Sequence, residues 1–270
     1  MKKKLVFLLV FVMVFSVVVV GCTNEEPQDE AKILKVGTDD AYPPFEFHDE
    51  KTNDLIGFDI DFGYALAERL GMEIEWIPTA WDGIFNGVNT GQYDAIISCT
   101  SLTPDRMESF AMSKPYLANG IVIVSPTDTE PASTIEQLSG KKVGVQIETT
   151  SDIAAQKFIA DGAKLNLYKY DTIMDAFAAL KGGSIDYILV DNSVGGYYIQ
   201  TDVESFAITS EVLSNEPIGV TMAKGNTELQ EKVNTAIKEM QEDGTMTALS
   251  MKWFLDDLAT NIDEDLQVIE

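Results

Sequence analysis

The chain contains few of the side chains that build metal or nucleophile sites. Among 270 residues there are two cysteines, Cys22 and Cys99, and a single histidine, His48. None of them has a partner at ligand spacing, which excludes a disulfide framework and predicts no metal site. We expect no cofactor, and we expect no nucleophile pair formed by a cysteine and a histidine. Cys99 lies in an apolar stretch, where a buried free thiol behaves as a small hydrophobic side chain.

Basic residues are also scarce. The sequence has 19 lysines and arginines against 44 acidic residues, for a formal net charge of −25. Residues 1–21 hold three of the lysines and no acidic residue, so the chain after them carries 16 − 44 = −28. This charge repels phosphate backbones and anionic lipid surfaces. We therefore exclude nucleic acid as a partner.

No apolar run is long enough to span a bilayer. Lys2, Lys3 and Lys4 precede the uncharged run Leu5–Val20, which has 16 residues, whereas a spanning helix needs roughly 20. A short apolar run after basic residues is typical of an export signal, which we place over residues 1–21. The alternatives are an ordinary signal peptide and a single anchor helix.

The end of this run, Val19-Val20-Gly21-Cys22, resembles the lipobox of bacterial lipoproteins, with valine where leucine is usual. The motif implies cleavage before Cys22 and acylation of that cysteine. We therefore expect a lipid-anchored protein on the extracytoplasmic face of the bacterial cell membrane. Residues 22–30 are polar and acidic, so they are expected to form a flexible tether.

Beyond the tether, short apolar strands alternate with helical periods, which predicts an α/β fold with parallel sheets covered by helices. The predicted strands are Ile33–Gly37, Asp94–Ser98, Gly120–Val124, Lys142–Gln146 and Ile185–Val190, and the predicted helices are Asp59–Leu70, Ser151–Asp161 and Asp171–Leu180. The segment Ser125–Ser133 is rich in serine, threonine and proline, which indicates a domain boundary after the strand that ends at Val124.

The segment IISCTSLTPDR, residues 96–106, is predicted to run a buried strand straight into a helix. Thr103 suits the N-cap and Pro104 the first helical position. A helix start attracts anions, and the planar fork of Arg106 with the hydroxyl of Ser101 adds a bidentate carboxylate clamp. The alternative is an arginine that pairs with a surface carboxylate.

Short motifs in a fixed order and spacing run through the whole chain after the tether. They are VGTD (36–39), YPPFEF (42–47), GFDID (57–61), WDGI (81–84), YDAI (93–96), residues 101–106, KKVGVQ (141–146), residues 186–191, Gly244 and Trp253-Phe254. In this order they resemble the amino-acid-binding extracellular solute-binding proteins of ABC importers, family 3.

The resemblance implies a two-lobe type II periplasmic-binding-protein fold. Each lobe would be a mainly parallel sheet flanked by helices, and two hinge segments would join the lobes. The first lobe would comprise residues 31–118 plus 218–270 and the second residues 119–217, with crossings near Asn119–Val122 and Asn215–Gly219. Closure around a ligand would then be a hinge motion.

The resemblance also implies which residues hold the common part of an amino acid. Arg106 matches the arginine that binds the α-carboxylate, supported by Ser101 and by Thr150 at a helix start. Asp191 matches the carboxylate that binds the α-ammonium, together with the Ser101 hydroxyl and the Cys99 carbonyl. The alternative for Asp191 is that it caps the following helix.

At the side-chain end, Tyr42 and Trp81 match aromatic positions that pack on the ligand and also accept cations. Asp39 and Gln146 match polar positions, and an aliphatic ligand would leave both unpaired, at a cost of about 1–3 kcal/mol per group.

Three further residues stay open as candidates. Asp82 either faces the ligand or caps its helix. Glu148 and Thr149 stand where the family usually has glycine and threonine, and Glu148 either adds negative charge to the site or points to solvent.

The expected function is therefore the binding of a polar or cationic L-amino acid, without chemistry, and its delivery to an ABC transporter permease. Arginine, lysine and histidine are favoured, with glutamine or cystine next, and a monomer is expected. Two alternatives are an enzyme similar to cyclohexadienyl dehydratase on the same fold and a ligand-sensing domain. The loop at residues 148–152 lacks the glycine-rich pattern of those enzymes.

Overall fold

A computed structural model describes residues 32–269. The predicted signal segment, the predicted tether and the predicted lipidation site Cys22 lie outside this range. Within it, no helix is long and apolar enough to cross a membrane. The helices are α1 (Phe58–Leu70), α2 (Trp81–Thr90), α3 (Pro104–Ser109), α4 (Thr150–Ala160), α5 (Ile173–Lys181), α6 (Asn192–Thr201), α7 (Thr227–Glu242) and α8 (Thr245–Phe254), with a 3₁₀ turn at Ile135–Leu138.

The strands form two five-stranded sheets and one small antiparallel sheet, β2-β3-β4. The strands are β1 (Lys32–Thr38), β2 (Ala41–Tyr42), β3 (Glu46–His48), β4 (Leu55–Ile56), β5 (Met72–Pro78), β6 (Ala95–Ile96), β7 (Ala111–Met112), β8 (Ile121–Pro126), β9 (Lys142–Gln146), β10 (Asn166–Tyr170), β11 (Tyr187–Asp191), β12 (Phe206–Ile208) and β13 (Thr221–Met222). We call the part of the chain around the sheet β5-β1-β6-β13-β7 the first lobe, and the part around β10-β9-β11-β8-β12 the second lobe.

Each large sheet is mainly parallel, with one strand reversed. In the first lobe β13 runs antiparallel to both of its neighbours. In the second lobe β8 does the same. These two strands directly follow the two places where the chain passes between the lobes. The prediction of an α/β fold with two mainly parallel sheets is confirmed.

The two crossings lie side by side and are hydrogen-bonded to each other. The amide of Glu216 donates to the carbonyl of Asn119 at 2.9 Å, and the amide of Ile218 donates to the carbonyl of Leu117 at 2.9 Å. A third segment joins them, because Asn215 and Gln267 exchange two backbone hydrogen bonds of 2.9 and 3.0 Å. The chain near its C-terminus therefore runs along the hinge.

Two expectations about local structure are wrong. The strand expected over Asp94–Ser98 spans only Ala95–Ile96, because the chain bends into a loop and Cys99 adopts a positive φ of 40°. Residues 97–103 thus form a loop between β6 and α3, so the strand does not run directly into the helix. The boundary expected at Ser125–Ser133 also fails, since β8 lies inside the second sheet between β11 and β12.

The hydrophobic core explains why these elements pack as two connected lobes. The largest cluster of buried apolar side chains extends from Val36 and Phe58 in the first lobe to Val122, Phe177 and Val190 in the second. Separate clusters fill the space under α2 and the other face of the second sheet. The carboxyl ends of β1, β6, β9 and β11 face the region between the lobes, where ligands of open α/β sheets are bound.

Candidate functional site

The loop after β6 places Arg106 as its sequence predicts. Thr103 is the N-cap of α3, and its hydroxyl oxygen accepts a hydrogen bond from the Arg106 amide at 3.2 Å, with Pro104 in the first turn. The guanidinium donates to the Ser101 carbonyl at 3.0 Å. Among residues 32–269, no carboxylate lies within salt-bridge distance of it. Its remaining donors are therefore available to an anion.

Two aromatic rings cover the Arg106 guanidinium. Its central carbon lies 5.4 Å from the centre of the Trp81 ring and 5.1 Å from that of Phe85. The ring faces attract the cation and fix its plane. Phe85 was not predicted from the sequence, although it lies one helical turn after Trp81, a spacing that places two side chains on the same face of α2.

Asp191 lies at the carboxyl end of β11 and is buried. Its carboxylate accepts hydrogen bonds from the Tyr42 hydroxyl and the Asn119 side-chain amide, and the Cys99 thiol lies 3.7 Å away. Burial raises the pKa of Asp191, and these bonds oppose the shift. The side chain makes no capping bond to α6, so the capping alternative is wrong.

Asp39 and Gln146 meet across the two lobes. The Gln146 side-chain amide donates to the Asp39 carboxylate at 2.9 Å and to the Asp171 carbonyl at 3.2 Å. Burial raises the pKa of Asp39 to about 6, although the Gln146 bond opposes the shift. The side-chain carbonyl oxygen of Gln146 is buried and has no hydrogen-bond partner in the described part of the chain. This end of the site therefore holds one buried acceptor, the Gln146 carbonyl oxygen, that needs a donor.

These groups surround a cavity of about 20 Å³ between the lobes. Its lining residues are Tyr42, Glu46, Trp81, Ser98, Cys99, Ser101, Arg106, Gln146, Thr149, Thr150 and Asp191. Eight of the nine predicted ligand-binding residues line it, and Asp39, the ninth, contacts it through Gln146. Thr149 also lines the cavity, while its hydroxyl oxygen caps α4 by accepting from the Asp152 amide at 3.2 Å.

Asp82 and Glu148 do not line this cavity, and both side chains are exposed. Asp82 does not cap its helix, since the N-cap position of α2 is Ala80 and no side chain bonds there. Glu148 has a positive φ of 60°, and its amide donates to the Asp152 carboxylate at 2.9 Å. The usual glycine is therefore replaced by a residue in the left-handed conformation that glycine adopts without strain.

Below the cavity, two buried carboxyl groups hold the loop around Cys99. Ser98 donates to Glu46 at 2.7 Å, while Asp59 accepts from the Cys99 amide at 2.6 Å and from the Tyr116 hydroxyl at 2.9 Å. Burial raises the pKa of Asp59 to about 7, and burial together with the Asp59 charge raises that of Glu46 well above its usual range. This layer supports the backbone of Cys99 at its positive φ.

The layer was not predicted, although Glu46 stands within the YPPFEF motif. The partners of Glu46 lie far away in sequence. The one local sign that Glu46 is buried was its position between two phenylalanines. The Cys99 thiol faces the same carboxyl groups, and burial followed by the Asp191 charge raises its pKa well above the usual range. Cys99 is therefore held as a neutral thiol.

The model of one protein family matches residues 34–256, the bacterial extracellular solute-binding proteins, family 3. The L-cystine-binding protein TcyJ of Escherichia coli strain K12 is 34% identical over 226 residues, covering 83% of this chain and 84% of TcyJ. The ABC transporter arginine-binding protein 1 of the same strain is 31% identical over 229 residues, covering 83% and 91%. The structure of an ancestral arginine-binding protein bound to arginine superimposes with a TM-score of 0.78 at 38% identity, covering 82% of this chain and 98% of the other.

Proposed function

This chain belongs to the bacterial extracellular solute-binding proteins of family 3, and from that premise we propose that it binds a cationic L-amino acid between its lobes and delivers it to an ABC importer permease. The observation that carries the proposal is the polarity of the cavity. At one end stands a guanidinium that has no salt-bridge partner among residues 32–269, with a buried carboxylate beside it. At the other end the Gln146 carbonyl oxygen has no hydrogen-bond partner in the same range.

Arg106 and Asp191 provide the two charges that an amino acid backbone needs. The guanidinium would bind the α-carboxylate through its free donors, with Ser101 and Thr150 beside it. Asp191 would bind the α-ammonium in place of the Tyr42 hydroxyl, and the Cys99 carbonyl would accept from the same group. Because both partners are charged and largely buried, these bonds are strong and favour zwitterionic ligands.

The side-chain end distinguishes among amino acids. The Asp39 carboxylate and the Gln146 carbonyl oxygen are acceptors, whereas the lining residues include no lysine or histidine. An acidic ligand would bring a second negative charge near Asp39, and an aliphatic ligand would leave the Gln146 carbonyl oxygen unpaired. Arginine provides several donors in one plane for these acceptors and for the ring of Trp81. Lysine and histidine follow, and glutamine and cystine are the neutral alternatives.

The two relatives support these alternatives, since one is named for cystine and the other for arginine. We place this protein in the same role, as a binding protein without catalytic chemistry. Ligand would dock on the first lobe, and the second lobe would then bring Gln146, Thr150 and Asp191 against it. The closed form is the one that the permease would recognise, because closure is favoured by contacts that the open form lacks.

We further propose that the two lobes divide at the crossings, as 31–118 plus 218–270 and 119–217, that the protein is a monomer, and that a lipid on Cys22 anchors it. Metabolic labelling with a fatty acid tests the anchor. Labelling of the wild type and none of Cys22→Ser are expected, and label in neither protein would contradict it.

The ligand is tested by titration calorimetry of the purified protein with all twenty amino acids, followed by competition against L-cystine. Arginine is expected to bind most tightly. Tighter binding of glutamate or leucine than of arginine, lysine, histidine, glutamine and cystine would contradict the pocket assignment while leaving the family assignment intact.

A further inference from the structure

Glu216 is a buried carboxyl group that the proposed binding mechanism does not use. It is 1% exposed, and neither of its carboxylate oxygens has a hydrogen-bond partner of ordinary geometry in the described chain. The hydroxyls of Thr150 and Ser214 are the polar groups that face it. A buried carboxylate in this state is costly unless a charge balances it or it takes up a proton.

The backbone fixes the position of Glu216 between the hinge and the ligand loop. On one side its amide donates to the Asn119 carbonyl at 2.9 Å. On the other side the Leu102 amide donates to the Pro217 carbonyl at 2.8 Å, and the Gly219 amide donates to the Thr100 carbonyl at 3.0 Å. The segment that carries Glu216 is thus bonded to the loop that carries Ser101 and Arg106.

A second cavity, of about 390 Å³, is lined by both Arg106 and Glu216. Its other lining residues are Thr103, Asp105, Thr150, Ile153, Lys157, Val268 and Ile269. Arg106 and Thr150 line both cavities, whereas Glu216 lines only the second.

The charges around Glu216 come from three elements. Arg106 and Asp105 lie on α3, Asp191 ends β11, and Lys157 lies on α4. Burial raises the pKa of Glu216, and the contacts with the Thr150 and Ser214 hydroxyls lower it. The Asp191 charge raises it further, whereas the Arg106 charge lowers it. In turn, burial lowers the pKa of Arg106, and the Glu216 charge is the largest influence that opposes this.

We propose that Glu216 is the counter-charge of Arg106 in the empty site, and that binding of an amino acid carboxylate to Arg106 makes Glu216 take up one proton from solvent. The proposal rests on the function proposed above for Arg106. The Arg106 guanidinium then faces two carboxylates. The ligand carboxylate is hydrogen-bonded to it, whereas the Glu216 carboxylate is not. Protonation of Glu216 removes the repulsion between them, and the only change of bonding is the new O–H bond.

The sign of the pH dependence follows from this exchange. At low pH Glu216 is already neutral and does not repel the ligand carboxylate. As pH rises through the titration range of Glu216, the ionised group must be protonated on binding, so the affinity falls. The fall is at most tenfold per pH unit, the limit for uptake of a single proton.

The test is calorimetric titration with L-arginine, or with L-cystine if only that binds, at pH 6, 7 and 8 in pairs of buffers that differ in ionisation enthalpy. The wild type is expected to take up a fraction of a proton that approaches one within this range. Glu216→Gln is expected to lose that uptake and to bind several-fold more tightly at pH 8. The exposed Glu211, changed to glutamine, is the matched control and should match the wild type.

A second measurement needs no variant. Infrared difference spectra of the wild type should gain a protonated-carboxyl band when L-arginine is added. Absence of that band together with no proton uptake, or uptake that is unchanged in folded Glu216→Gln, would overturn the proposal while leaving amino-acid binding in place. Failure of every amino acid to bind the folded wild type would instead overturn the proposed function, and this inference with it.

Discussion

The two sides of the ligand cavity are built in different ways. The first lobe contributes seven lining residues, which lie on the short strands β2 and β3, in the loop after β6 and on the helices α2 and α3. Among them the Arg106 guanidinium lies over the Trp81 ring. The second lobe contributes four, at the ends of β9 and β11 and the start of α4. Two of these four, Gln146 and Asp191, bond directly to the first lobe. The first lobe thus forms most of the lining surface, while the second provides a few groups that bond across to the first.

This contrast predicts that the largest effect comes from the first lobe. Arg106→Ala should abolish detectable amino-acid binding, a loss of about 3 kcal/mol or more, because the ligand carboxylate loses its charged partner. The fold should persist, since the main bond of Arg106 is to a loop carbonyl. Calorimetry on the folded variant measures this.

Arg69→Ala is the matched control, because Arg69 pairs with Asp243 on the surface, away from the cavity. It should bind as the wild type does. Near-native affinity in Arg106→Ala would remove this residue from the site and contradict the leading role of the first lobe.

The second lobe is expected to act through selectivity for the ammonium group. Asp191→Asn should weaken the binding of L-arginine by about 2 kcal/mol or more, since Asp191 is proposed to pair with the ammonium alone. It should weaken the binding of the analogue without the α-amino group much less. Competition calorimetry with both ligands measures the difference. Asp128→Asn, at an exposed position, is the control. Equal losses for the two ligands would make Asp191 a structural residue.

The Asp39 and Gln146 contact is expected to set the preference for a cationic side chain. Because the pKa of Asp39 is about 6, the affinity ratio of L-arginine to L-glutamine should fall as pH drops through 6. Both ligands have the same α-carboxylate and α-ammonium, so any effect of Glu216 on carboxylate binding cancels in this ratio. The pH dependence of the ratio therefore reports on Asp39 and not on Glu216.

Asp39→Asn should reduce the ratio about tenfold at pH 8, a change of about 1.4 kcal/mol, and should make it independent of pH. The exposed Asp128, changed to asparagine, is the control. A ratio that still falls with acid in Asp39→Asn would exclude Asp39 as the selective group.

The smallest effect concerns the backbone of the second lobe. Glu148→Gly should stabilise the protein by about 0.5–1 kcal/mol, because glycine adopts the positive φ without strain, and should raise Tm by about 2–4 °C. Thermal unfolding checks this, with Glu211→Gly, at an ordinary φ, as the control. Unchanged arginine affinity in Glu148→Gly would place that side chain outside the site.

The sequence was sufficient for features that depend on neighbours along the chain. The N-cap at Thr103, the start of α4 near Thr150 and the strand that ends at Asp191 follow from local patterns, with help from the family motifs. The reversed strands β8 and β13 could not be predicted, since reversal is decided by the path of the chain between lobes. The Glu46 and Asp59 layer also depends on contacts between distant segments, which periodicity does not record.

The segment near the C-terminus offers a use as a reporter of ligand binding. It leaves the first lobe after α8, bonds to the hinge through Asn215, and packs Ile269 against the apolar cluster of the second lobe. The Asn215 side-chain amide adds two bonds, to the carbonyls of Asp263 at 3.1 Å and Asp265 at 2.8 Å. Both Gln267, which is exposed, and α7 come after the second crossing in the sequence, but Gln267 lies beside the hinge and α7 lies in the first lobe. A fluorophore on Gln267 and a second dye on α7 would therefore report lobe closure as a change in energy transfer between the dyes.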